Sequence, residues 1–176
     1  MLNAHHLEYS TPFFERGDAL AFTGGYNGVP MAVVSTGFGK DNVLSGIHNV
    51  IGLGATEVVY IGACLSTTGR HDIRDVILAA GGNQSILNKA ITAASLFGIT
   101  VSTRTVLSSD GAQPEEGCII DDITGGFYEL AQINGIKALS ILTVSENTIN
   151  GEKMEEHEVR SRFYAASRLV FELFAI

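Results

Sequence analysis

Apolar stretches of period two and apolar stretches of helical period alternate along the chain. "ALAFTGGYNGVPMAVVSTGFG", positions 19 to 39, reads as two strands joined at Asn27-Gly28, a pair that tolerates the positive φ angles of a tight hairpin. The second strand, around Met31 to Ser35, ends in Thr36-Gly37-Phe38-Gly39. In "KDNVLSGIHNVIGLGA", Val43, Ile47, Val50 and Ile51 recur at helical spacing, with Asp41 near the start and glycines at the end. That pattern predicts a helix. "TEVVYIGA" follows as a strand apolar enough to be covered on both faces.

The alternation continues to the end of the chain. "DIRDVILAAG" gives a strand around Val76 to Ala79, and Asn83 is placed to cap a helix that runs to Phe97 and stops at Gly98. "ITVSTRTVLSS", 99 to 109, alternates as one strand, and "DGAQPEEG" is a loop. A helix from about Asp122 to Asn134 ends at Gly135, and "KALSILTVS" is a buried strand. "EEHEVRSRFYAASRLVFELF" reads as one long amphipathic helix. Strands alternating with helices predict an α/β fold, a three-layer α/β/α sandwich around a twisted, mostly parallel sheet. The early hairpin makes the sheet mixed. Its central strands are expected at about 57 to 62 and 138 to 144. No break in composition marks a boundary, so 1 to 176 reads as one domain.

Composition narrows the classes. The chain has 176 residues, enough for a full core. It contains no run of 18 apolar residues, and "MLNAHHLEYS" lacks the basic-then-apolar layout of a signal peptide. A cytoplasmic protein is the resulting expectation. The formal net charge of −8 argues against nucleic acid and anionic membranes as partners. Cys64 and Cys118 lack metal-ligand spacing and read as reduced thiols. His5 and His6 lie in the terminus, His48 and His157 in amphipathic helical segments, and His71 in a "GRHD" loop. None pairs with a thiol or carboxylate at ligand spacing, so structural or solvated roles are expected, with no metal and no cofactor. "EKMEEHEVRSR" reads as a solvated helix face.

The candidate chemistry starts at "VVYIGACLSTTG", 58 to 69. A strand that runs into a glycine, two small residues and a polar loop opens a crevice at its carboxyl end, where α/β proteins bind small molecules. Gly37 and Gly39 either let a backbone approach an anion or, as glycines at a strand end more often do, simply turn the chain.

"GVPMAVVSTGFG", "IGLGATEVVYIGACLS", "DIRDVILAAG" and "NGIKALSILTVSEN", in this order and spacing, resemble the nucleoside phosphorylase family over about positions 19 to 174. That family includes the purine and uridine phosphorylases and the adenosylhomocysteine nucleosidases. The resemblance implies cleavage of a nucleoside N-glycosidic bond, by phosphate or by water, through an oxocarbenium-like ribose. Such chemistry needs an acid at the purine N7, a carboxylate on the ribose hydroxyls and, for phosphorolysis, arginines around a dianion.

Carried over position by position, the resemblance gives a divergent site. The family's first strand has no counterpart, so the chain is expected to begin beyond it. The arginine expected before the central glycine falls on Tyr60, and the serine after it on Ala63. A phosphate dianion in a partly dry crevice is costly without charge-assisted donors, so phosphorolysis is expected to be impaired. Arg16 aligns, with a one-residue gap, near an arginine that the family offers across its dimer interface. The ribose-gripping glutamate falls on Ile123, with Asp121 and Asp122 beside it. These two carboxylates either serve the ribose or simply favour a helix N-terminus. The acid falls on Glu146, after Ser145, and its supporting arginine on Val159 next to Arg160. Glu146 is either that acid or an exposed residue at a strand end. Phe38, Cys64, Leu65 and Ile120 fall on ribose- and base-facing positions, or are plain core.

Three readings result: an enzyme cleaving a purine or related nucleoside, a module that binds a nucleoside or nucleobase without cleaving it, and a non-catalytic paralogue partnering an active subunit. The resemblance further implies a homo-oligomer, a dimer or an assembly of dimers.

Overall fold

The computed structural model describes residues 7–16, 19–108, 116–161 and 163–176, the side chains of 13–16, 19, 160 and 161 excepted. Its first unit is an antiparallel meander of β1 (Glu8–Arg16), β2 (Ala19–Tyr26) and β3 (Val29–Ser35). Asn27 (φ 47°) and Gly28 (φ 77°) both take the left-handed region that the hairpin turn between β2 and β3 requires. β1 has no forerunner in the sequence reading. It lies at the edge of the meander, with two irregularities in register around Pro12, a position where a missing N–H is tolerated.

The remaining elements are α1 (Lys40–Gly52), β4 (Glu57–Ser66), β5 (Val76–Ala79), α2 (Gln84–Leu96), β6 (Val101–Arg104), β7 (Val106–Leu107), β8 (Ile119–Ile120), α3 (Thr124–Asn134), β9 (Lys137–Asn147), β10 (Glu152–Lys153), α4 (Glu156–Ser161) and α5 (Tyr164–Phe174). The large sheet runs β6-β5-β9-β4-β8-β7, with β10 added to β9. β4 and β9 are parallel neighbours at its centre, as their apolar content predicts. The sheet is mixed: β5–β6 and β7–β8 are parallel, β5–β9 and β4–β8 antiparallel.

Side chains alternate across this sheet and build a core on each face. Leu139 and Ile141 of β9 pack with Val59 and Ile61 of β4 against α2 and α5, through Ala90, Ala93 and Leu169. Val58, Tyr60 and Ala138 face α1 and α3, through Val43, Ile47 and Phe127. These are the three expected layers. α2 begins as predicted, with the Asn83 side chain accepting from the amides of Ser85 (3.0 Å) and Ile86 (3.4 Å).

Two expectations need correction. "ITVSTRTVLSS" is two strands rather than one: Thr105 separates β6, at one end of the strand order, from β7 at the other. Three consecutive Cα atoms span at most about 7 Å, so the two ends meet and the sheet closes on itself. Its interior is filled by Cys64, Ile77, Ile119, Leu142 and Val144. The C-terminal segment is two helices, because the chain leaves helical geometry before Tyr164, with Phe163 (φ −79°, ψ 45°) at the N-cap of α5 and packed on the core. Among the described residues no helix is long and apolar enough to cross a membrane.

Candidate functional site

The crevice predicted at the end of "VVYIGACLS" is present. A cavity of about 390 Å³ opens beyond the carboxyl ends of β4 and β9. Ala63, Cys64 and Leu65 of β4 form one wall and Ile120 to Ile123, the segment entering α3, form another. Gly39 and Lys40 at the start of α1 and Ser145 of β9 complete it. Three strand ends and two helix starts meet here because β4 and β9 are parallel while β8 runs against β4.

Ser145 enters the cavity through a bulge. Cys64 pairs with Val144 and Leu65 with Glu146, leaving Ser145 as the extra residue on β9. Its hydroxyl donates to the Cys64 carbonyl at 3.2 Å. From sequence, Ser145 stands only as the neighbour of Glu146 and Lys40 has no assigned role, whereas Gly39 is one of the two glycines where a backbone approach is expected, and it lines the cavity. Bulges and loop paths leave no periodic signal to find Ser145 and Lys40 by.

Asp121 is the polar centre of the wall. Its side chain is 7% exposed, and its Oδ2 accepts from the Thr124 amide (2.7 Å), the Thr124 hydroxyl (2.7 Å) and the Ile123 amide (3.3 Å). It therefore satisfies the first turn of α3, in the capping role that an acidic residue favours there. Burial pushes its carboxyl above the usual range, the bonds from Thr124 and Ile123 pull it back, and the neighbouring Asp122 adds a smaller push upward. Asp122 also lines the cavity but is exposed.

Tyr60 stands behind this wall, largely buried, with its ring edge-on to Phe127 (6.3 Å, 72°). It points along the same strand face as Gly62, and a methyl group at Gly62 would overlap the Tyr60 hydroxyl. Glycine at 62 is thus what lets the phenol lie over the strand. Burial pushes the phenol far above its usual range, and the acidic groups of Asp121 and Cys64 beside it push it further. Burial and Asp121 likewise hold the Cys64 thiol up, so neither group supplies an anion at neutral pH.

The structure brings Ala63, Cys64, Leu65, Ile120, Asp121, Asp122 and Ile123 together and leaves two candidates aside. Phe38 is 61% exposed, neither core nor cavity wall, although Gly39 beside it lines the cavity. Glu146 is not among the lining residues; its carboxylate meets the Lys153 ammonium at 2.8 Å, across the β9–β10 pair. That hydrogen bond and charge hold the Lys153 ammonium above its usual range. His71 is buried and structural: Arg104 Nε donates to its Nε2 at 3.0 Å, Asp75 lies 3.5 Å from its Nδ1, and Asn147 donates to its carbonyl at 2.6 Å. His48 is exposed on α1 and His157 on α4. His5, His6, the side chains of Arg16 and Arg160, and most of the "DGAQPEEG" loop lie outside the described residues. Among the described residues no three His, Cys, Asp or Glu side chains are grouped to hold a metal ion.

No family model matches the chain. Among curated proteins it is similar to a purine nucleoside phosphorylase of the DeoD type from Shewanella oneidensis, 31% identical over 87% of this chain and 79% of the relative's length. A protein of the same description from Bacillus velezensis is 27% identical over 93% of this chain and 84% of its own length. Among solved structures, a purine nucleoside phosphorylase from Toxoplasma gondii in complex with immucillin-H superimposes with a TM-score of 0.83. That likeness covers 98% of this chain and 84% of the other at 17% identity, and it bears on the fold alone. With the relative from Shewanella matched over most of both lengths, this chain belongs to the nucleoside phosphorylase family.

Proposed function

We propose that the cavity binds a purine or related nucleoside, and that phosphorolysis is impaired in this chain. The observation that carries this reading is the contrast between a formed cavity and its lining beside β4. Tyr60 and Ala63 occupy the positions where the family resemblance expects an arginine and a serine, and the phenol lies over Gly62. A tyrosine hydroxyl and a methyl group do not supply charge-assisted donors to a dianion. In this reading Cys64, Leu65 and Ile120 contact the base, and Asp121 and Asp122 accept from ribose hydroxyls.

If the bond is cleaved, an acid protonates the base as its nitrogen leaves C1′, and water takes the oxocarbenium carbon, releasing a proton to solvent. Glu146 is the candidate acid from the sequence. It would first have to leave Lys153, and that ion pair favours the second reading, binding without cleavage. The test is a thermal-shift and turnover screen over purine and pyrimidine nucleosides, with and without phosphate. General acid catalysis contributes typically a hundred- to ten-thousand-fold, so Glu146→Gln lowers any cleavage by at least about a hundredfold. Cleavage unchanged in that variant removes Glu146 from the acid's role. Binding without cleavage by the wild type supports the second reading.

A further inference from the structure

Within the proposed nucleoside reading, we infer that Asp121 makes the cavity exclude anions, so that the end of the ligand reaching the Asp121 wall is uncharged. Three observations converge. First, Asp121 is fixed: all three bonds from the start of α3 fall on Oδ2, and the side chain still lines the cavity at 7% exposure. A charge so buried acts through low dielectric and is poorly screened. Second, the cation of the cavity, Lys40, is exposed, as is Asp122. These two exposed side chains are of opposite sign, whereas Asp121 is the acidic side chain that is buried among the described lining residues. Third, the neighbouring groups are neutral and are kept so: the Tyr60 phenol and the Cys64 thiol are both pushed up by burial and by Asp121 itself. A phosphate or phosphate ester placed against Asp121 meets a like charge, and the one cation among the described lining residues, Lys40, is exposed.

The inference assigns Asp121 a selective role distinct from its capping role, and the two separate experimentally. Asp121→Asn and Asp121→Ser each retain a capping oxygen and remove the charge. Calorimetry at pH 8 would compare adenosine, adenosine monophosphate and inorganic phosphate against the wild type and both variants. The expected result is adenosine bound at least about tenfold tighter than its monophosphate by the wild type, with that ratio collapsing toward one in both variants. A ratio near one in the wild type, or a ratio unchanged in both variants, overturns the inference and leaves Asp121 a helix cap. The inorganic phosphate arm does not depend on the nucleoside. Millimolar or tighter phosphate binding by the wild type overturns the anion exclusion even if no nucleoside binds. Phosphate affinity that rises about tenfold in both variants, with no adenosine binding in any protein, supports the exclusion and contradicts the nucleoside reading.

Discussion

At the scale of single residues, Gly62 and Tyr60 act as a pair. A methyl group at Gly62 would overlap the Tyr60 hydroxyl, and overpacking of this kind costs about 1–3 kcal/mol. Gly62→Ala is therefore expected to lower stability by that amount in denaturant unfolding. In a Tyr60→Val background, which removes the ring, most of the penalty should disappear. Equal penalties in both backgrounds would show that the glycine serves the backbone instead. Asp121 makes a second residue-scale prediction. Burial raises its carboxyl above the ordinary 3.8 in the folded chain, so the folded state binds that proton more tightly than the unfolded one. The stability this contributes is fully present below pH 3.8 and is lost as pH rises through the raised value. The stability of the wild type relative to Asp121→Asn should thus fall as pH is raised from about 3 to 7. A flat or rising difference contradicts it.

Elements were legible where the local signal is strong. The sequence places Asn83 as a cap, and its side chain accepts from two amides of α2; Asn83→Ala is expected to cost about 1 kcal/mol, measured as a lower unfolding midpoint with an unchanged m-value. Asn27-Gly28 likewise announced its turn. The break at Thr105 was not legible, because the alternation of 99 to 109 runs through it unchanged. What divides the strand is the closing of the sheet, a long-range event. The division between α4 and α5 is of the same kind: the amphipathic pattern is continuous, while Arg74 ties Glu158 of α4 (2.9 Å) and Phe163 packs on the core. In the site, the strand end and the paired aspartates were readable from sequence. The cavity contributions of Ser145 and Lys40 depended on a bulge and a loop path. The pairing of Glu146 with Lys153 depended on the short return strand β10, whose two residues carry no pattern.

At the scale of the whole molecule, the same parallel pair that centres the sheet also places the cavity, so fold and site share one cause. Large apolar side chains remain on the surface, among them Phe38 (61% exposed), Leu53 (74%) and Ile133 (73%). With the dimer-based assembly that the sequence resemblance implies, they lead us to propose a homo-oligomer, a dimer or an assembly of dimers. Light scattering at micromolar concentration should report at least a dimer, and a monomer rejects this.

The central claim, a nucleoside cavity that has lost its phosphate partner, is tested most directly by incubating the purified protein with purine nucleosides in the presence and absence of inorganic phosphate. Binding and base release would be followed in the same samples. The account predicts a nucleoside-dependent rise in melting temperature, and no base release that depends on phosphate. Phosphate-dependent, saturable release of base with formation of a ribose phosphate would contradict it.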